Sequence, residues 1–129
     1  MKIFFFVVVA LCAFTVALLP YLRPIVMTDI RVKNETGYQL RNIMVNGKSY
    51  GDLAIGGVSG YQKLAHAYRY ASFEFVAVHD ELRKEVYVYF DDYIGQTPLG
   101  KGRFSYVFQH APLDELDTAD ILDAVRDGD

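Results

Sequence analysis

The sequence predicts an all-β fold, an antiparallel sandwich of about seven short strands, and three observations carry that prediction. Apolar and polar residues alternate with period two in several short segments. Glycine-containing turns separate those segments at roughly 8 to 14 residue spacing, the rhythm of sandwiches and small barrels. Between them, from residue 25 to residue 110, no stretch shows the 3.6-residue period of a helix, which excludes a parallel α/β architecture.

The first element is not part of the sheet. Ile3 to Leu19 is a run of 17 residues whose only polar member is Thr15, preceded by Lys2 and followed by Pro20, Tyr21, Leu22 and Arg23. Extended to Leu22, it makes about 30 Å of helix, enough to cross a bilayer. Positive charge ahead of the run places the body of the chain outside the cytoplasm, with Arg23 weakening the asymmetry. A cleaved signal peptide is the second reading, with Thr15-Val16-Ala17 as its best site, although that site falls inside the run. A lipoprotein anchored at Cys12 is the third, with Leu11 a poor residue ahead of the cysteine. Each of the three delivers the chain from about residue 25 onward outside the cytoplasm. The expected division is therefore 1–24 as signal-anchor or signal peptide, 25–110 as the β-domain, and 111–129 as an acidic tail.

Within the body, Ile30 and Val32 alternate with Asp29, Arg31 and Lys33 and end at the turn Asn34-Glu35-Thr36-Gly37. In a eukaryotic secretory protein that triplet would be a glycan acceptor. Ile43 and Val45 alternate next and close on Asn46-Gly47, a dipeptide that tolerates positive φ and suits a tight hairpin, with Lys48 to Leu53 returning. Gly56-Gly57 and Gly60 break the chain. From Tyr68 to His79, Ala71, Phe73, Phe75 and Ala77 share one face and Tyr70, Ser72, Glu74, Val76 and Val78 the other. After a turn at Asp80-Glu81, Val86, Val88 and Phe90 alternate with Tyr87 and Tyr89. Asp91 to Gly102 is a glycine-punctuated loop, and Phe104, Tyr106 and Phe108 line one face of a final strand. Leu113, Leu116, Ile121, Leu122 and Val125 then fall among aspartates, which predicts a short acidic amphipathic helix over Pro112 to Arg126 or a flexible tail. The architecture expected is Ig-like only in its layers, because the chain has no Trp and a single Cys.

Charge and chemistry exclude more than they assign. Residues 1 to 112 hold 12 Lys/Arg against 9 Asp/Glu, and residues 113 to 129 hold 1 against 7, so the body is +3 and the tail −6. With no basic block longer than two residues, a nucleic-acid partner is not expected. Cys12 lies in the apolar run, so the body has no thiol for a disulfide, a zinc site or a nucleophile. His66, His79 and His110 lack metal-motif spacing, Asp91 and Asp92 point to opposite faces if on a strand, and the acidic tail lacks the EF-hand pattern. Ser49, Ser59, Ser72 and Ser105 lie outside any nucleophile-elbow motif, and Gly56-Gly57-Val58-Ser59-Gly60 has no phosphate-cradle lysine. No catalytic residue, metal or cofactor is expected.

The unusual feature is 10 tyrosines and 9 phenylalanines. Tyr61, Tyr68, Tyr70, Tyr87, Tyr89 and Tyr93 fall in or beside the central strands, and together with Asp92 they are the candidate contact residues. A tyrosine face can anchor a protein partner or stack sugar rings; it can also simply flank the core with its hydroxyls in water.

Three blocks extend this reading. They are Asn34-Glu35-Thr36-Gly37-Tyr38; then Tyr50-Gly51-Asp52-Leu53 with Ser59-Gly60-Tyr61, leading into Ala67-Tyr68-Arg69-Tyr70-Ala71; and Asp92-Tyr93-Ile94-Gly95 through Pro98-Leu99 and Gly102. In these blocks the chain resembles small uncharacterised bacterial cell-envelope proteins, often lipoproteins, with a sandwich domain. The resemblance implies an envelope location and a bacterial source, in which case the glycan reading lapses. It transfers no activity, and the sequence around Cys12 departs from the lipoprotein pattern. The function expected is a non-enzymatic interaction or accessory module, membrane-anchored through residues 3–22 or secreted or lipid-tethered. Its contact is expected on the sheet face and the Asp91 to Gly102 loop, with a protein partner in the envelope. A carbohydrate- or small-ligand-binding module is the alternative, and an unrecognised hydrolase is a third, for which no nucleophile and base set is visible.

Overall fold

The computed structural model describes residues 26–90 and 96–128. The apolar run at residues 3–22, Cys12, and Asp91 to Gly95 lie outside the described residues, so the expectations placed there are not addressed by the fold. Among the described residues no helix is long and apolar enough to cross a membrane.

Among the described residues eight strands form two four-stranded sheets. They are β1 (Met27–Asn34), β2 (Gln39–Val45), β3 (Lys48–Leu53), β4 (Gln62–Ala65), β5 (Phe73–His79), β6 (Leu82–Val88), β7 (Arg103–Phe108) and β8 (Leu122–Gly128). The order is β4-β1-β7-β8 in one sheet and β3-β2-β5-β6 in the other. Strands β1 and β5 turn one side inward as their alternation demands, whereas β7 is buried on both faces from Phe104 to Phe108. Thr28, Ile30, Val32 and Asn34 of β1 are buried, as are Phe104, Tyr106 and Phe108 of β7, and they face Leu40, Ile43, Val45, Phe73, Phe75 and Ala77 of the opposite sheet. Phe108 meets Phe73 and Phe75 edge-on at centroid distances of 5.0 and 5.2 Å, which joins the two sheets through their aromatic rings.

The expected hairpins form where the turn residues place them. Asn46 and Gly47 have φ of 47° and 78°, the double positive φ that a two-residue turn of this hand requires, and they join β2 to β3. Asp80, at φ 54°, and Glu81 join β5 to β6 with His79 opposite Leu82. In β2 the pairing slips between Arg41 and Met44. Asn42 sits at φ 54° there and its N–H donates to the Asp52 carboxylate at 2.9 Å. This bulge lets Leu40 and Ile43, three apart, both face the core.

The structure corrects the sequence reading in three places. The sandwich is not wholly antiparallel, because β1 runs parallel to β7, with Ile30 opposite Phe104 and Val32 opposite Tyr106. The chain crosses from the far sheet after β6 and so enters β7 in the direction of β1. A strand, β4, also follows the glycines that read as a loop and covers the free edge of β1. The predicted acidic helix over Pro112 to Arg126 is instead two single 3₁₀ turns, Leu113–Glu115 and Ala119–Ile121, followed by β8. Leu116, Ile121 and Leu122 are buried. They serve the core, but β8 gains a full ladder on the edge of β7, from Phe108 opposite Leu122 to Phe104 opposite Arg126. The β-domain thus reaches Gly128 and is not bounded at residue 110.

Polar groups inside the sandwich are paired. The Tyr50 hydroxyl crosses between sheets to donate to the Ile30 carbonyl at 2.9 Å, and burial pushes its pKa up to about 12. Thr28 donates to the Gly100 carbonyl and Tyr106 to the Tyr68 carbonyl, which holds the connections at residues 66–72 and 96–102 against the core. The N–H of Leu99 donates to Ala67 O at 2.8 Å in the same region. Asn34 is wholly buried with its amide nitrogen bonded to the carbonyls of Tyr38, Leu53 and Ala54, so the folded domain has no room for a glycan there.

Candidate functional site

A groove of about 720 Å³ opens at one end of the β3-β2-β5-β6 sheet. Three segments build it: the β2–β3 turn, the β4–β5 connection and the end of β6. Ser72 ties them together. Its backbone N–H donates to Asn46 Oδ1 at 3.1 Å, its carbonyl accepts from the Asn46 N–H at 2.9 Å, and its hydroxyl donates to Phe90 O at 3.0 Å while accepting from the Phe90 N–H at 2.8 Å. One small hydroxyl residue therefore fixes the groove's outline, its O–H donor and one of its two acceptor sites both engaged with Phe90.

On this scaffold stand the aromatic residues. Tyr87 and Tyr89 follow the outward alternation of β6, both 66% exposed, with ring planes parallel within 2° and centroids 6.5 Å apart. That separation is one two-residue repeat of a strand. Tyr68 and Phe90 line the groove with them, and Tyr70 stacks on Phe90 from outside it at 5.7 Å and 28°. The Arg69 guanidinium lies 5.6 Å over the Tyr70 ring. Glu74 of β5 is directly opposite Tyr87 in the pairing register and also lines the groove, as do Met44 of β2 and His66.

The seven candidate contact residues therefore divide. Tyr68, Tyr87 and Tyr89 come together at the groove and Tyr70 supports it through Phe90. Asp92 and Tyr93 lie outside the described residues. Tyr61 stands on the other sheet, and its place was not foreseeable from the sequence. There its hydroxyl donates to Asp127 Oδ2 at 2.8 Å, and Arg31 and Arg103 lie over its ring at 5.1 and 5.9 Å. The same carboxylate oxygen accepts from the Ser105 hydroxyl at 2.6 Å and pairs with Arg31 Nε at 3.2 Å. Desolvation pushes the Asp127 carboxyl up, but the hydrogen bonds from Ser105, Tyr61 and Arg31 outweigh it and hold it below the ordinary carboxylate value. This cluster ties β1, β7 and β8 to the segment ahead of β4, with Arg31 paired to Asp127 and Arg103 held over the Tyr61 ring.

Two of the three histidines, His79 and His110, pack on the ring of Tyr38, and neither lines the groove. His110 Nδ1 donates to Thr36 O at 2.6 Å, and His79 meets the Tyr38 ring edge-on at 5.4 Å. His66, with φ 52°, is the one histidine of the three that lines the groove. Among the described residues no group of three His, Cys, Asp or Glu side chains converges as a metal site would require.

Sequence reasoning missed Glu74 and Met44 as partners of the tyrosines. A signal for Glu74 was present: a two-residue turn at Asp80-Glu81 puts His79 opposite Leu82, and counting back along both strands puts Glu74 opposite Tyr87. Compared with known proteins, the chain matches no family model, no curated protein and no solved structure.

Proposed function

We propose that this chain is a non-enzymatic binding module of the cell envelope that engages a protein partner through the groove bordered by Tyr87 and Tyr89. The apolar segment at residues 3–22 carries it outside the cytoplasm as a membrane anchor, with a secreted or lipid-tethered form as the alternative. Its layers are Ig-like in the broad sense: two packed four-stranded sheets between which the chain crosses after β1, β3, β4 and β6. The observation that carries the binding reading is the pair of parallel tyrosine rings, 66% exposed, on the rim of a concave site. Tyrosine is among the residue types enriched at contact hot spots, and a ring left in water beside a groove offers large apolar area with a polar handle. Among the described residues lining the groove Ser72 is the one serine, and the bonding of its hydroxyl to both Phe90 O and Phe90 N–H supports a structural role for it.

A carbohydrate ligand is the second reading, favoured by the exposed ring faces on which a sugar ring can stack. The test compares the full-length chain with its Tyr87→Ala/Tyr89→Ala variant in detergent-solubilised envelope fractions and on an array of envelope glycans. Substitution of two exposed rings leaves the fold intact, and the expected result is a retained protein component that the variant loses at least ten-fold, as befits two hot-spot residues. Equal retention by both forms removes the reading. Retention of glycans alone transfers it to the carbohydrate alternative.

A further inference from the structure

The molecule shows on one sheet what its groove lacks on the other. On the outer face of the β4-β1-β7-β8 sheet, a tyrosine ring and a carboxylate are completed by a guanidinium: Arg31 lies 5.1 Å over Tyr61 and 3.2 Å from Asp127. On the outer face of the β3-β2-β5-β6 sheet, Tyr87, Tyr89 and Glu74 line one groove, with Glu74 directly opposite Tyr87 in the register. Among the described residues no lysine or arginine lines this groove, and Glu74 takes part in none of the ion pairs. The cations nearest on this side are engaged or set at other rungs: Arg41 is opposite Val76, Arg83 is opposite Val78, and Arg69 lies over the Tyr70 ring outside the groove.

We propose that the groove receives an arginine side chain of the partner protein, its guanidinium paired with Glu74 and stacked on the Tyr87 and Tyr89 rings. The inference rests on the binding reading above and names the chemistry of its ligand. The ring faces carry negative quadrupole density and the carboxylate a full charge, so both attract a cation and repel an anion. A neutral ligand covering the groove would strip water from Glu74 without replacing it, an uncompensated cost that a cation avoids. Among cations, the guanidinium is planar, weakly hydrated and forked, so it stacks on a ring and pairs with a carboxylate at once, whereas an ammonium does not. Asn46 Oδ1 and the Ser72 hydroxyl, which a sugar hydroxyl would seek, already bond Ser72 N–H and Phe90.

The test titrates the full-length chain, in polyoxyethylene-ether micelles that offer neither sugar nor choline groups, with a capped Gly-Arg-Gly peptide. The same peptide with citrulline, an uncharged isostere of arginine, is the control, with tyrosine ring resonances as the readout. The Tyr87 and Tyr89 signals are expected to move saturably while those of Tyr61 stay fixed. Citrulline in place of arginine, or Glu74→Gln, is expected to weaken binding about ten-fold, as loss of a charge-assisted pair does. Equal binding of the two peptides, or an unchanged affinity in Glu74→Gln, overturns the proposal. Movement of the Tyr87 and Tyr89 signals by a neutral oligosaccharide, with the arginine peptide inert, also overturns it, while leaving the groove as the binding site.

Discussion

Asn34→Ala is expected to destabilise the folded domain by about 3 kcal/mol, because it removes several buried hydrogen bonds and strands their partners. The amide nitrogen of Asn34 donates to Tyr38 O at 2.7 Å and Ala54 O at 3.0 Å, with Leu53 O at 3.4 Å sharing the second proton. Its Oδ1 accepts from the Thr36 N–H at 3.1 Å and the Thr36 hydroxyl at 2.6 Å. The side chain thus closes its own turn and fastens it to the end of β3 in the opposite sheet, with no exposure to water that could replace the lost bonds. Asn34→Asp separates geometry from volume: it keeps the shape but aims a carboxylate oxygen at carbonyls, and is expected to cost at least as much as alanine. Urea unfolding of the full-length chain in micelles measures both, through a lower midpoint at unchanged slope. A loss under about 1 kcal/mol in Asn34→Ala would mean that the turn holds without its side chain.

Phe108→Ala is expected to cost about 4 kcal/mol, the range for removing a fully buried aromatic ring. Phe108 ends β7, is wholly buried, and touches Phe73 and Phe75, which stack on each other at 5.9 Å and 8°. Truncation leaves a cavity between the sheets and also ends the edge-on contacts that hold the two phenylalanines. Phe108→Leu fills most of that space and is expected to recover more than half of the loss in the same unfolding experiment. Equal stability of the alanine and leucine variants would show that the ring's neighbours collapse into its place.

How much of this was legible follows from which interactions are local. The inward faces of β1, β5 and β7 were visible because period-two alternation is a property of consecutive residues, and the turns at Asn46-Gly47 and Asp80-Glu81 because positive φ selects their residues. The Asn42 bulge was not, since it depends on the Asp52 carboxylate across the hairpin. Strand β8 misled for a related reason. Ile121, Leu122 and Val125 satisfy a helical spacing, and only the free edge of β7 makes the strand the better solution. The parallel pairing of β1 with β7 joins residues 74 apart and leaves no local trace.

The candidate site divides along the same line. Tyr87 and Tyr89 could be placed on one face by counting, and Glu74 opposite them by register. Tyr61 could not be assigned, because Asp127 and Arg31, which claim it, come from strands 66 and 30 residues away. Its aromatic character is the same as that of Tyr87, and only its surroundings make it structural. The two outer faces differ: on one, Arg31 and Asp127 pair beside Tyr61, and on the other Tyr87, Tyr89 and Glu74 line the groove.

The central claim, that the groove is the contact surface, is tested most directly by cross-linking from the rings themselves in the living cell. A benzophenone-bearing phenylalanine analogue in place of Tyr87 reacts with whatever lies against it, peptide or sugar, and the same analogue in place of Val125, 43% exposed on the other sheet, is the control. The account predicts a discrete adduct from position 87, identified by mass as a protein partner and lost when Tyr89→Ala is added, with none from position 125. No adduct from position 87, or the same adducts from both positions, would contradict it.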